Sequence, residues 1–417
     1  MEKSSSKLNI FVSHSSELLT DWRSHGDGLL AFAFLSRLAE RGHSLHVAVQ
    51  ETAIKSALPD NLTLYPIRTR FQGRITQRLE YMLKSRLLLN CLRREHRFDL
   101  IHQLNPVVRG LSLSMFGNGL PVVLGLFYPT WPTDADKAEP KLSLVTRVRL
   151  RCRGLLRKLT LSCQQRLASA LVLATPKSLD VLHKPERMKE KIFLVNQGVD
   201  TDHFAPSANT SAGNDDQHIL FVANLWRRKG ILTLLEAFEK VAERLPHSRL
   251  TVVGSGGIEA EVHRRADALA CRSRITFIKH ISRQELPAAL RDCTVYCLPS
   301  YGEPLGGSML EAMACGKPVV ATSAGGLGLL VREEGGRKAP PRDAAALAEA
   351  LIEILSSPEL QTRMGEFNRR LIEEHHAWDR VLEQLESVYR TVAHQKRGAM
   401  DQLTANPSLL ADPTRLP

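Results

Sequence analysis

Short β-branched, apolar runs alternate with helix-period segments twice along this chain, and no other feature constrains its fold as strongly. In the first half, LNIFVSH (residues 8–14) reads as a strand. A long loop, SSELLTDWRSHGDG, follows, then the helix-period segment LLAFAFLSRLAERG, which stops at Gly42. HSLHVAVQ, FDLIHQL, PVVLGLF and ALVLA read as further strands. Runs apolar on both faces and separated by helices belong to a parallel sheet covered on both sides. The polar stretch SANTSAGNDDQ breaks the pattern, and the alternation then restarts, from HILFVANL through KPVVAT to the helix DAAALAEALIEILSS. The fold class predicted is α/β, with two Rossmann-like doubly wound domains facing a central cleft, and 417 residues suffice for two full cores. The boundaries expected are 1–195 and 218–375 for the two domains, with 196–217 as linker. Residues 376–397 are expected to form a helix packing back towards the N-terminal domain, with the helical pattern ending near Lys396 and residues 398–417 forming a disordered tail.

One segment reads two ways. RVRLRCR (147–153) alternates like a strand, whereas its neighbours have helical spacing; a helix with arginines on much of its circumference is favoured. Charge is uneven along the chain. The net charge is +12, with nine Lys/Arg against Glu80 and Glu95 between residues 68 and 97, and eight basic residues without an acid between 141 and 166. Such surfaces attract nucleic acid, anionic membranes or phosphorylated ligands, or are simply solvated. The basic segments lack interleaved aromatics and a known nucleic-acid motif, so no nucleic-acid partner is expected. No apolar run approaches the ~18–20 residues of a membrane span. The N-terminus has neither the apolar run nor the cleavage site of a signal peptide, so a cytoplasmic location is expected. Seven cysteines without a Cys-x-x-Cys pair point to reduced thiols, with Cys293 and Cys297 as small core residues. No metal spacing is recognised: the histidines are scattered, and His375 and His376 are expected on a surface helix.

The chemistry concentrates in SYGEPLGGSMLEAMACGKPVV (300–320). Gly306 and Gly307 fall where a strand gives way to a helix, an arrangement that offers backbone N–H donors and a positive dipole to a phosphate. Glu303 precedes that helix. Glu311 lies inside it among apolar residues, where an ionised carboxylate needs hydrogen-bond donors such as sugar hydroxyls, unless it points to solvent. In ANLWRRKG, Arg228 and Lys229 stand beside a helix start and can meet a diphosphate, or form a solvated basic turn. VVGSGG is a weaker glycine turn, and SHGDG places Gly26 and Gly28 at the start of a helix in the first half.

Taken in order, these windows resemble the retaining glycosyltransferases of family 4, the group 1 glycosyltransferases with GT-B architecture. The resemblance runs from GDGLLAFAFLSRLAERGHSLHVAV through KIFLVNQGVDTDHFAPS to LPSYGEPLGGSMLEAMACGKPVVATSAGG and WDRVLEQLESVYR. Its most specific element is the E-x7-E motif, Glu303 to Glu311. The resemblance implies that Glu303 lies near the transferred sugar, Glu311 binds the ribose, and the N–H groups of Leu305, Gly306 and Gly307 hold the diphosphate. Lys229 would neutralise the leaving group, assisted by Arg228 and by Asn224, with Gly26 or Gly28 completing the cradle. His102 and Asp27 are the acceptor-side candidates.

The activity so implied is metal-independent, retaining hexosyl transfer from a UDP- or GDP-linked sugar to a glycan or lipid-linked acceptor, with no cofactor beyond that donor. It suits bacterial cell-surface polysaccharide, lipopolysaccharide or glycolipid synthesis, with peripheral association at the inner face of the cytoplasmic membrane through the basic N-terminal domain. The alternative is a non-catalytic nucleotide-sugar-binding or scaffold member of the same fold. A phosphorylase is disfavoured because no pyridoxal-lysine motif is found. Departures from the family pattern sharpen the question: Ala223 and Asn224 replace Gly-Arg, so a guanidinium is missing unless Arg227 or Arg228 substitutes; Phe127 replaces a histidine, Leu329 a glutamate, and the family's P-N-G-V-D linker reads Asn196-Gln197-Gly198-Val199-Asp200.

Overall fold

The structure is a computed structural model that describes residues 7–13, 18–23, 26–70, 74–104, 113–128, 162–207 and 217–405. The arginine-rich segment 147–153, most of the polar linker and residues 406–417 lie outside them. The chain clusters into two units. Unit 1 comprises residues 1–127, 143–195 and 382–417; unit 2 comprises 128–142 and 196–381.

Unit 1 is built on a seven-stranded sheet whose described pairings are all parallel. In chain order its strands are β1 (Asn9–Val12), β3 (Ser44–Val49), β5 (Leu62–Pro66), β6 (Leu100–Gln103), β7 (Val122–Phe127), β8 (Ala170–Leu173) and β9 (Ile192–Leu194). They lie side by side as β5-β3-β1-β6-β7-β8-β9. β2 (Leu18–Thr20) and β4 (Glu51–Ala53) form a separate parallel pair. Part of the expected long loop after β1 is thus a strand, too short and too poor in β-branched residues to read as one. Helix α1 (Gly26–Glu40) and helix α2 (Arg74–Leu92) belong to this unit.

Unit 2 holds β10 (His218–Val222), β11 (Arg249–Val253), β12 (Ile275–Ile278), β13 (Val295–Leu298), β14 (Val319–Thr322) and β15 (Gly336–Ala339), again with parallel pairings throughout. Their order is β12-β11-β10-β13-β14-β15, the doubly wound 3-2-1-4-5-6 arrangement. The order reverses between β10 and β13, and ligands of such sheets bind in the crevice outside the carboxyl ends of the strands at that point. Cys293 and Cys297 are buried in this core, and burial pushes the Cys293 thiol up to about 12.

Apart from the β2–β4 pair, the strands absent from the sequence reading, β5, β9 and β15, are all outermost in their sheets. An edge strand buries less and tolerates Pro66 in β5 or the polar GRKA of β15, so neither alternation nor an apolar run marks it. The linker residues before Ser207 are packed into unit 2. Phe204 is fully buried, and Val199 pairs with Ala377, its N–H donating to the His376 carbonyl at 2.7 Å. His376 is buried rather than on the surface, with Nδ1 bonded to the Gln197 carbonyl at 2.9 Å. The last helix, Trp378–Ala405, continues past the expected end near Lys396 because QKRGAMDQLTA contains no proline and few poor helix formers.

Candidate functional site

In unit 2 the carboxyl ends of β10 and β13 lead into the two motifs that carry the candidate chemistry. After β10 the chain passes Asn224 and turns through a 3-10 segment, Arg227–Lys229, into the helix Ile231–Arg244. Gly230 joins them with φ +75°, and a Cβ there would lie 1.9 Å from the Pro299 carbonyl oxygen. The K-G turn can therefore sit directly on the chain leaving β13. The Arg228 carbonyl accepts from Tyr301 N–H at 2.8 Å and Ser300 Oγ at 2.9 Å, and Thr233 Oγ1 bonds the Tyr301 hydroxyl at 2.8 Å. Gly230→Ala is expected to destabilise unit 2 by at least ~2 kcal/mol, combining the positive-φ penalty with a backbone clash. Chemical denaturation of the purified variant checks it; an unchanged midpoint would refute the account.

Those bonds set the position of Lys229. Its Nζ donates to Glu303 Oε2, and both side chains are largely withdrawn from solvent. Gly326 N–H donates to the Glu303 carbonyl at 2.9 Å, so the SAGG loop after β14 braces the same segment. The helix Gly307–Ala314 starts beside this pair, with Gly306 at φ +77° as its N-cap and Leu327 packed where a Cβ would stand. Tyr296 and Ser308 anchor this helix start to β10: Tyr296 OH donates to Ser308 Oγ at 2.6 Å, and Ser308 Oγ donates to the Val222 carbonyl at 3.1 Å. Met309 N–H bonds back to the Gly306 carbonyl at 2.9 Å, while the Gly307 and Ser308 N–H groups ahead of it have no intrahelical acceptor and carry the positive end of the helix dipole.

Glu311 does not face solvent. Its Oε1 accepts from Arg283 Nη1 at 2.8 Å, while no donor among the described residues reaches Oε2. Burial raises the Glu311 pKa, and the Arg283 guanidinium opposes that rise. Arg283 is itself held, with its guanidinium 5.0 Å from the Phe204 ring centroid and its carbonyl bonded to His203 Nε2 at 3.0 Å.

Sequence reasoning missed Arg283 and also Gln197, whose Nε2 lies 3.2 Å from where a Gly307 Cβ would be. The departure at Gln197 from the family's P-N-G-V-D was the available signal for one. Arg283 lies beyond the end of β12, and only the strand order brings it to Glu311. Arg227 is committed to Glu261, so it does not replace the family guanidinium absent at Asn224, which is exposed.

The remaining candidates lie in unit 1. Gly26 opens α1 with open space beside it, Asp27 is exposed in the first turn, and Gly28 is buried. His102 is buried in β6 and is not an open acceptor group. Its Nε2 bonds the Gly125 carbonyl and its Nδ1 bonds the Tyr389 hydroxyl at 2.6 Å. Burial lowers its pKa to about 4, so it stays neutral and structural. Among the described residues no group of three or more His, Cys, Asp or Glu could hold a metal ion, and no helix is long and apolar enough to cross a membrane.

Residues 206–371 match the family model described as glycosyl transferases group 1. The match falls within the second unit and takes in both site loops. The chain is 33% identical over 207 residues to a phosphatidyl-myo-inositol mannosyltransferase of Mycobacterium tuberculosis, covering 48% of this chain and 54% of that one. It spans about half the length of the curated relatives it matches. Fold similarity extends further than the sequence match. A glycosyltransferase from Rickettsia africae superposes with a TM-score of 0.70 at 16% identity, covering 93% of this chain and 99% of that one. The Anabaena HepE protein in complex with UDP and glucose gives 0.64 at 17% identity, over 93% and 99%. The chain thus has the GT-B fold of these structures, and the family match falls in its second half.

Proposed function

We propose that the protein is a retaining, metal-independent glycosyltransferase that moves a hexosyl group from a UDP- or GDP-linked sugar to a glycan or lipid-linked acceptor. The observation that carries this reading is the Lys229–Glu303 pair at the point where strand order reverses, beside the N-terminus of the Glu311 helix. A diphosphate laid across that helix start meets N–H donors from Leu305 to Gly307 and the Lys229 ammonium, with Arg228 as the adjacent guanidinium. As the sugar–phosphate bond breaks, negative charge grows on the departing oxygen, and fixed positive groups stabilise that state more than the ground state. Glu303, on the other side of Lys229, faces the sugar, and the open Oε2 of Glu311 accepts from ribose hydroxyls. In a front-face mechanism the leaving phosphate takes the acceptor's proton, so no strong protein base is needed.

The mannosyltransferase relative supports a lipid-linked acceptor, and the UDP complex of the Anabaena protein supports a nucleotide donor. The setting proposed is cell-surface polysaccharide, lipopolysaccharide or glycolipid synthesis in the cytoplasm, with peripheral contact at the inner membrane face. Asn224, where the family has arginine, favours the second reading of a binding protein without turnover. Calorimetric titration with UDP- and GDP-sugars, followed by product detection, separates the two: binding without product sinks the transferase reading, and no binding sinks both.

Arg283 gives a sharper prediction within this reading. Arg283→Gln removes the cation that opposes the rise in the Glu311 pKa, so the carboxylate protonates at higher pH. Nucleotide affinity is expected to fall about tenfold, the weight of one charge-assisted hydrogen bond, and its decline towards acid should begin at higher pH than in wild type. Identical pH profiles for the two proteins would refute this role.

A further inference from the structure

Helix α2 carries an exposed leucine face that neither the fold nor the donor site uses. Its inner side is fixed: Tyr81, Ser85, Leu89 and Leu92 are buried, and the Tyr81 hydroxyl donates to the Ser13 and Ala48 carbonyls at 2.9 Å each. On the opposite side Leu79, Leu83 and Leu87 are 58%, 53% and 57% exposed. Their i, i+4, i+8 spacing makes a stripe ~12 Å long on one helix face. Isolated exposed leucines are ordinary, but three in register, opposite a pinned inner face, form an apolar surface left open among the described residues.

Charge decides what fits it. Arg68, Arg70, Arg93, Arg94 and Arg97 are exposed around the helix ends. Of the two acids between residues 68 and 97, Glu80 is engaged by Lys84 at 2.7 Å and by the Arg70 N–H at 2.7 Å. A second copy of the chain would bring like-charged rims together. The leucines also offer on the order of 300 Å², well short of the ~800 Å² per partner of a specific protein interface. An anionic lipid surface matches both features, taking the leucines into the acyl boundary and the arginines among the headgroups. The geometry points to α2 as the element that seats unit 1 on an anionic membrane, through Leu79, Leu83 and Leu87. This deepens the membrane part of the proposed function, and it stands or falls separately from the donor titration.

The test is flotation of the full chain with vesicles of phosphatidylcholine alone and of phosphatidylcholine with phosphatidylglycerol, alongside the triple variant L79S/L83S/L87S and the double variant R93S/R94S. The expected result is partitioning to anionic vesicles only, reduced at least tenfold in the triple variant, and weaker and less salt-dependent in the double variant. Far-UV circular dichroism and nucleotide titration should match wild type, because the substituted side chains point to solvent. Three outcomes overturn the proposal. One is wild-type indifference to both vesicles; another is equal binding by wild type and triple variant. The third is a wild-type dimer that the triple variant abolishes without any vesicle binding, which would assign the face to self-association.

Discussion

Lys229→Ala is expected to lower kcat about a thousandfold, with nucleotide affinity changing much less. The loss follows from where the ammonium stands: on a rigid turn, largely out of water, and fixed by Glu303 before any substrate arrives. Preorganised charge of this kind typically contributes 10²–10³ in kcat per donor, and a full cation in a partly buried site lies at the upper end. Lys229→Arg should restore little, because a longer, planar guanidinium does not reproduce the compact point charge that Lys229 holds against Glu303. Removing the lysine also leaves the Glu303 carboxylate without its partner, so the K229A/E303Q double variant is the control for destabilisation. Steady-state kinetics with the donor found by titration provides the measurement. Undiminished transfer by Lys229→Ala would refute the site assignment.

Glu386→Gln is expected to cost about 3 kcal/mol of unit 1 stability at neutral pH. Glu386 is buried, and Arg41 Nε reaches its Oε1 at 2.6 Å, His43 Nε2 the same oxygen at 3.2 Å, and Arg390 Nη2 its Oε2 at 2.8 Å. The Leu8 N–H donates to His43 Nδ1, so the ring proton sits on Nε2 and points at the carboxylate. Burial pushes the carboxyl pKa up, but the hydrogen bonds from His43 and Arg41 outweigh it and hold the group at about 2. A depressed folded pKa contributes stability that is complete above the ordinary value of 4.5 and is lost as pH falls through about 2. The difference between wild type and Glu386→Gln should therefore shrink to ~1 kcal/mol by pH 3. Urea denaturation at pH 7 and pH 3 measures both numbers, and a difference that stays constant across that window would show that the carboxylate charge is not what holds the helix.

The two predictions differ in how far the sequence announces them. Lys229, Glu303 and Glu311 are visible as motifs because each lies in a local strand–turn–helix context that recurs with its glycine. Glu386 is not visible: on the helix Trp378–Ala405 it reads as one more solvated charge among WDRVLEQLESVYR. Arg390 lies one helical turn on, but Arg41 and His43, the partners that hold its charge, lie more than 340 residues away in sequence. The same holds for His102, whose apolar strand context was clear but whose closure by Tyr389, 287 residues away, was not.

By itself the sequence determined the central strands and the helices between them, because residues buried on both faces must be continuously apolar and helix faces must repeat every 3.6 residues. It also placed the glycines of the two site loops. The strand order was decided only in three dimensions, and with it the meeting of Lys229 and Glu303, 74 residues apart, and of Arg283 with Glu311. Edge strands such as β15, the neutral burial of His102 and the open leucine face of α2 were likewise settled there. Local pattern records what each segment buries. It does not record which distant segment covers it, and charge pairing and exposure are properties of that cover.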